Sequence, residues 1–423
     1  MKVKTVLKYV PLLLVLVVLV ALPIMLWATP AQSSTPAQPP FASGRILVKF
    51  APGTSPADRA ALHRAQGGQP IREIPGIEVE VVSVPAGAEE AKAAAYARSP
   101  LVAYAEPDYL AYALEGPNDP YFLKQWGLNN TGQVYKDGQP AGTSDADIDA
   151  PEAWAIITGT ADVKIAILDS GIDQDHEDLI GKVVSNTNFT DSSTVDDLYG
   201  HGTHVAGIAA AVTNNGIGVA GVCWGCGLLN VKVLNDQGSG YYSWIANGIV
   251  WTANNGAKVI NMSLGGSVKS RTLENAVNYA WNRGVVLACA GGNSGNPSPT
   301  YPAAYKNCIA VAATDANDQK ASWSSYSSKW MDVAAPGVDI FSTFPNHTYA
   351  IGKSLNYDYG SGTSMSTPHV AGLAGLVWAT GLCTDNACVR NRIESTADRI
   401  AGTGTYWIHG RINACKAVGG NCN

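Results

Sequence analysis

The chain has 423 residues, 46% of them hydrophobic and 15% charged, with a formal net charge of −6. Such a chain buries a large core and exceeds a single small module, and its acidic balance excludes a dedicated nucleic-acid binder, which is usually basic. Its 44 glycines point to tight turns and close backbone approach, not to coiled coils.

Lys2, Lys4 and Lys8 precede an almost wholly apolar run from Tyr9 to Trp27, closed by small residues from Ala28 to Ala31. Basic, then apolar, then small is the order of a secretory signal, and the run is also long enough to span a bilayer. Residues 1–31 are therefore read as a signal peptide or a retained membrane anchor. Lysines on the N-terminal side keep that end cytoplasmic. The remainder is expected to be secreted or, if the run is retained, anchored at the outer face of the cytoplasmic membrane. Residues 32–43, built from Pro, Ala, Ser and Gln, read as a flexible linker.

Export makes the cysteines readable. All eight lie beyond residue 220, and an even count in an oxidising compartment favours disulfides. Sequence neighbours suggest 223–226, 289–308, 383–388 and 415–422, although sequence alone leaves the connectivity open. A zinc site on Cys223 and Cys226 is disfavoured, since no second C-x-x-C or H-x-x-x-H accompanies it.

Residues 44–114 read as a small α+β domain. GRILVKFAPG is a strand ending in a turn, and SPADRAALHRAQGG is a helix with Ser55 as N-cap. IEVEVVSVP alternates as a strand, EEAKAAAYAR is an Ala-rich helix stopped before Pro100, and VAYAEPDYLAYAL is extended. The predicted order is β-α-β-α-β. With no cysteine and no dense polar cluster, this domain reads as a chaperone or inhibitor module.

Residues 115–423 alternate strands and helices. Predicted strands are Val163–Asp169, Leu228–Leu234, Lys258–Ser263, Val285–Ala290, Cys308–Ala313 and Met331–Ala335. Predicted helices are Ala150–Ile157, Gly202–Val212, Tyr242–Asn254, Leu273–Arg283, Ser364–Ala379 and Asp385–Ala397. Short Val/Ile-rich runs alternating with helices predict a doubly wound, mainly parallel α/β sheet. Chemistry in such sheets lies beyond the carboxyl ends of the strands.

Polar clusters fall at those places. Asp169 ends VKIAILD, His201 opens GHGTHVAG, and Ser364 lies in GSGTSMSTPH at a helix start, with Pro368 placed in the first turn. Asp…His…Ser is one of the chain orders of a catalytic triad, and an α/β-hydrolase esterase would run Ser before Asp before His. A serine hydroxyl needs a base within reach, histidine suits that role, and a buried aspartate fixes its tautomer. Each residue alone is unremarkable in a core; the three together are not. Asn293, ending VVLACAGGN, adds a side-chain donor for an oxyanion beside the backbone N–H of Ser364. His204 and His369 read as structural, hydrogen-bonded histidines. A pseudoprotease that binds peptides without cleaving them is the competing class.

AILDSGI, GHGTHVAGIAAAVTNN, VINMSLGG, AGGNSGN and SGTSMSTPHVAG together resemble the subtilase (subtilisin-like serine protease) family, closest to its thermitase branch. The resemblance implies a seven-stranded subtilisin-like sheet, a secreted serine endopeptidase and bound calcium. Its catalytic positions fall on Asp169, His201 and Ser364, with Asn293 in the oxyanion hole. Gly238, Ser239, Gly240, Ser263, Leu264 and Gly265 match two strands that flank an extended peptide substrate. The pocket walls carry no charge, which implies a broad apolar or aromatic P1 preference. Asp119, Asp178, Val212, Asn215, Ile217 and Val219 match a calcium site, with Ile217 serving through its carbonyl where the family has threonine. A second calcium site around Asp191, Asp196 and Asp197 is poorly matched. Ser366 and Gly291 stand where the family commonly has alanine. Residues 44–114 resemble its propeptide, implying that the chain's own propeptide inhibits it and is cut away between Tyr112 and Gly116. The partners implied are protein or peptide substrates, the enzyme being a monomer.

Overall fold

The computed structural model describes residues 41–109 and 116–422, and the chain divides into two compact units, Met1–Ala113 and Leu114–Asn423. The apolar run before residue 28 and the segment 110–115, where propeptide cleavage is expected, lie outside the described residues. Among the described residues no helix is long and apolar enough to cross a membrane.

The first unit contains β1 (Phe41–Phe50), α1 (Pro56–Gln66), β2 (Gln69–Ile74), β3 (Val79–Ser83), α2 (Glu89–Ala97) and β4 (Val102–Tyr109). The strands pair antiparallel in the order β2-β3-β1-β4. Ser55 caps α1 by accepting from the Asp58 N–H, and Gly67 ends it in the left-handed conformation. Ile46, Val48, Phe50, Val82, Ala93 and Tyr96 form its core. The unit departs from the predicted order by one strand. QPIREI of β2 is exposed almost throughout, so an edge strand left no alternation to read. β1 also starts at Phe41, paired with Tyr109, inside the stretch read as linker.

The second unit contains α3 (Ala150–Trp154), β5 (Lys164–Asp169), β6 (Val183–Asn188), α4 (His201–Ala210), β7 (Gly227–Lys232), α5 (Tyr242–Asn254), β8 (Val259–Met262) and α6 (Arg271–Trp281). β9 (Val286–Ala290), β10 (Ile309–Thr314), β11 (Val333–Pro336), β12 (Ile340–Thr343), β13 (Tyr357–Gly360), α7 (Thr363–Ala379), α8 (Asn386–Ser395), β14 (Gly410–Arg411) and α9 (Ala414–Ala417) follow. The main sheet is parallel, in the order β14-β11-β10-β9-β8-β5-β7-β6. It has eight strands where seven were expected. Six of the eight are the strands predicted individually, and the two beyond them are the edges, the polar VVSNTN of β6 and the two-residue β14.

Burial on both faces explains the strand composition. Along β5, Ile165 and Ile167 enter the core containing Val205 and Ile208 of α4 and Val370 and Leu373 of α7. Ala166 and Leu168 enter the core containing Ile249 of α5 and Val277 of α6. Each fully buried Ile or Leu contributes roughly 1.5–3 kcal/mol. From β5 the chain goes to the edge at β6, returns to β7 beside β5, then crosses to β8 on the other side and steps away through β9, β10 and β11. The order therefore reverses beside β5, which is where an open α/β sheet makes its crevice.

Cys223–Cys226, Cys383–Cys388 and Cys415–Cys422 are bonded. The fourth neighbour pairing is absent, and Cys289 and Cys308 are buried thiols. Cys289 lies opposite Ala310, so Cys308 faces it only diagonally across β9 and β10.

Candidate active site

Asp169 ends β5 at the crevice and is wholly buried. Its Oδ1 accepts from the Ser170 N–H at 2.8 Å and lies 2.7 Å from His201 Nδ1. A carboxylate accepts only, so Nδ1 carries the proton and Nε2 is left free as a base. Burial alone would lower the His201 pKa. The Asp169 charge and hydrogen bond, with Asp197 beyond, reverse this and hold it above the ordinary value.

α4 brings His201 to Asp169 because its first turn is glycine-flanked. A Cβ on Gly202 would lie 2.1 Å from the Gly171 carbonyl oxygen. The donors of that turn are collected by Asp197, which the sequence analysis placed only in a poorly matched second calcium site. Its Oδ1 accepts from Ser170 Oγ at 2.8 Å and the Gly200 N–H at 2.7 Å. Its Oδ2 accepts from the Thr203 N–H at 2.8 Å and Thr203 Oγ1 at 2.7 Å. One buried carboxylate thus ties the loop after Asp169 to the helix bearing His201. Nothing in local sequence distinguishes Asp197 from Asp196, which points elsewhere, so the second calcium cluster does not assemble from Asp191, Asp196 and Asp197.

Ser364 stands in the first turn of α7. Pro368 is the sixth helical residue, one turn later than expected. It has no N–H to give to the Ser364 carbonyl four residues back. Ser263 Oγ donates to that carbonyl instead, at 2.7 Å, and Ser364 Oγ donates back to the Ser263 carbonyl at 3.1 Å. The second bond occupies the Ser364 hydroxyl, and among the described residues no hydrogen bond joins it to His201. Catalytic hydrogen bonds often tighten only with substrate in place. Ser263→Ala is expected to leave the Ser364 carbonyl unpartnered and to cost about 1–3 kcal/mol. Chemical denaturation in a Ser364→Ala background checks this, and an unchanged midpoint would refute it.

Asn293 lies just beyond β9. Its Oδ1 accepts from the Thr363 N–H at 2.9 Å and Thr363 Oγ1 at 3.0 Å. With the oxygen so held, the amide NH2 is the end left to donate. Thr363 is thus a second residue missed in the sequence, where it is merely the neighbour of Ser364.

The predicted substrate segments line one cleft. Gly238, Ser239, Gly240, Ser263, Leu264 and Gly265 surround a space of about 390 Å³ together with His201, Tyr199, Tyr242 and Leu234. Leu264 and Gly265 also border an adjoining space of about 320 Å³, whose walls include Ala290, Asn293, Thr300 and Ser364 and carry no ionisable group. The two segments are not strands as expected. Residues 238–240 close a turn on Asn235, and 263–265 run on beyond β8.

The predicted calcium ligands also converge. Asp119 accepts from the N–H groups of Asn214 and Asn215 at 2.8 and 3.4 Å. Asp178 accepts from Asn215 Nδ2 at 3.0 Å, the Val219 N–H at 2.8 Å and Tyr357 Oη at 3.1 Å. The Val212 N–H donates to the Asp178 carbonyl, placing the Val212–Val219 loop, with Ile217, between the two acids. Both carboxylates are buried, and burial pushes Asp178 up to about 6 and Asp119 upward as well. His204 and His369 are buried against the carbonyls of Ile340 and Met365, burial lowering them to about 3 and about 4, so both are neutral.

The chain resembles known proteins over most of its length. Residues 160–410 match the model of the subtilase family, and residues 28–108 match the fervidolysin N-terminal prodomain. The chain is 52% identical over 304 residues to thermitase of Thermoactinomyces vulgaris, covering 71% of this chain and 99% of that protein. It is 42% identical over 380 residues to a thermophilic serine proteinase of Bacillus sp. (strain AK1), covering 89% of this chain and 88% of the relative. A solved protease structure from Pseudoalteromonas arctica superposes with a TM-score of 0.62 at 32% identity, covering 72% of this chain and 99% of that one.

Proposed function

The chain belongs to the subtilase family of serine endopeptidases and carries an N-terminal prodomain, and from that premise we propose that Asp169, His201 and Ser364 cleave exported peptide substrates through an acyl-enzyme. The observation that supports this most directly is the 2.7 Å contact between Asp169 Oδ1 and His201 Nδ1 at the sheet crevice. The Ser364 hydroxyl turns from the Ser263 carbonyl to His201 Nε2, which takes its proton as Oγ attacks the scissile carbonyl. Asp169 stabilises the imidazolium, and the Ser364 N–H and Asn293 NH2 receive the oxyanion. His201 then protonates the leaving amine and next deprotonates the water that releases the acyl group. An extended substrate pairs its backbone with residues 238–240 and 263–265, and an apolar or aromatic P1 side chain fills the uncharged space beside Asn293.

A fluorophosphonate reagent tests this reading. One adduct is expected on Ser364, formed in step with loss of peptidase activity and absent from His201→Ala. Full turnover after labelling, or an adduct elsewhere, refutes it. The Ser364–Ser263 hydrogen bond is what favours the peptide-binding alternative, which requires no adduct and no turnover.

Residues 44–114 act in this proposal as chaperone and inhibitor, released by self-cleavage between Tyr112 and Gly116 to leave a monomeric, secreted catalytic domain. Fractionation of cells and medium decides between release and an anchored form. Calcium is held by carboxylates of Asp119 and Asp178, the Asn215 amide and the carbonyls of Val212, Ile217 and Val219. Two buried acids with no ion-pair partner among the described residues fit that ion. The ion supplies no reaction chemistry and fixes the loop after α4. At about 1,000-fold saturation such an ion contributes about 4 kcal/mol, so chelation is expected to lower the melting temperature by about 10 °C. Scanning calorimetry of Ser364→Ala with and without chelator checks this, with Asp178→Asn expected to be insensitive to the chelator.

A further inference from the structure

Three loops that the proteolytic reading leaves unused meet at Asp173, Asp196 and His347. They follow β5, precede α4 and join β12 to β13. One ligand atom from each residue lies within 4.8 Å of the other two.

His347 turns Nε2 toward the two carboxylates. Its Nδ1 lies 3.0 Å from the Thr348 carbonyl oxygen. A carbonyl only accepts, so Nδ1 carries a proton and Nε2 is the nitrogen left to face the acids. Nε2 is closed off from solvent and has no hydrogen-bond partner, although Asp196 Oδ2 stands 3.3 Å away. A lone pair facing a carboxylate oxygen requires a cation between them, either a proton or a metal ion.

Burial lowers the His347 pKa, but the Thr348 carbonyl and the Asp196 and Asp173 charges outweigh it and hold it above the ordinary value, so a metal ion bound here displaces a proton. Asp173 is wholly buried, held only by the N–H groups of Asn346 at 2.8 Å and Asp175 at 3.3 Å. Burial pushes its carboxyl up to about 6, and the Asp175 carboxyl lies beside it. Lys232 is turned away: its ammonium meets the carbonyls of Ser170 and Asp196 and pairs with Asp236 at 3.0 Å. Three acids and one imidazole therefore share this corner without a lysine or arginine ion pair to Asp173, Asp175 or Asp196 among the described residues.

We propose that Asp173, Asp196 and His347 bind one divalent transition-metal ion of the zinc class. Calcium prefers an all-oxygen shell, whereas an imidazole nitrogen with two carboxylates suits zinc. Bonds of about 2.1 Å in a tetrahedron place ligand atoms about 3.4 Å apart, and His347 Nε2 and Asp196 Oδ2 already stand 3.3 Å apart. Asp175 or water takes the fourth position. The ion cross-links the loop that follows Asp169, the loop that leads to His201 and the loop that leads through β13 to α7. Its role is structural, and it does not depend on the proteolytic reading.

Zinc titration by calorimetry of full-length Ser364→Ala in calcium-saturated buffer tests the site. One zinc ion per chain is expected at this site. Removal of an outer-shell partner typically costs 10–100-fold in affinity, so loss of a direct ligand sets the expectation at about 100-fold or more. That loss is expected in His347→Ala and Asp196→Asn, each shown to be folded by an unchanged calcium-dependent melting transition, and not in His201→Ala. No zinc-dependent heat, or equal affinity with and without His347, overturns the proposal. So does loss of the zinc signal in His201→Ala alone, which places the ion on the catalytic histidine.

Discussion

Ser364→Ala is expected to reduce peptide turnover about 10⁶-fold, the loss recorded when the nucleophile of a subtilisin is removed, and to leave the exported chain uncut. The two effects have one cause. On the proposed mechanism the hydroxyl that attacks a substrate carbonyl also makes the first cut behind residue 112, so a chain without it keeps residues 44–114. Intact mass of the exported protein reads both at once: wild type starts near residue 115, and the variant keeps its prodomain. The substitution removes one hydrogen bond, that from Ser364 Oγ to the Ser263 carbonyl. It leaves the Ser263 Oγ bond to the Ser364 carbonyl and the Thr363 hold on Asn293 in place. A stable, folded precursor is therefore the expected product, and added 44–114 fragment is expected to inhibit the mature enzyme. If both proteins remain full length, processing belongs to another protease or Ser364 is not the nucleophile. Residual peptidase activity of the variant separates those two outcomes.

The sequence makes legible whatever is buried on both faces. KIAILD, VINM and VLACA are strands within one or two residues of their predicted bounds, because continuous burial selects continuous Val, Ile, Leu and Ala. QPIREI and VVSNTN carry no such signal, since an edge strand is held by backbone pairing that any side chain permits. Site residues divide in the same way. Asp169 and His201 are legible because one ends a buried strand and the other opens a helix, in chain order with Ser364. Asp197, Thr363 and Ser263 act through what they hold, and that depends on contacts between segments far apart in sequence, such as Ser263 with Ser364. Pro368 illustrates the difference. A proline near a helix start suggests the first turn, yet it sits later because Ser263 supplies the donor that Pro368 lacks.

Asp169→Asn is expected to lower kcat about 10⁴-fold and, more tellingly, to move the pH profile. Asp169 Oδ1 accepts two hydrogen bonds, from His201 Nδ1 and the Ser170 N–H, while Oδ2 is buried with no partner. An asparagine that keeps its oxygen at the Oδ1 position preserves both bonds but buries an unsatisfied NH2. One that turns its NH2 toward His201 forces the proton onto Nε2, the wrong tautomer for a base. Neither orientation restores the charge that opposes the effect of burial and raises the His201 pKa. The base must be neutral to accept the Ser364 proton, so kcat/KM rises with pH through the free-enzyme pKa of His201. That midpoint lies above the ordinary histidine value in wild type and is expected to fall in the variant, where burial acts with less opposition. A lower plateau with an unmoved midpoint would mean that Asp169 serves only to position the ring. A lower plateau with a midpoint shifted to lower pH assigns to its charge the stabilisation of the imidazolium, which a neutral amide of the same shape does not supply.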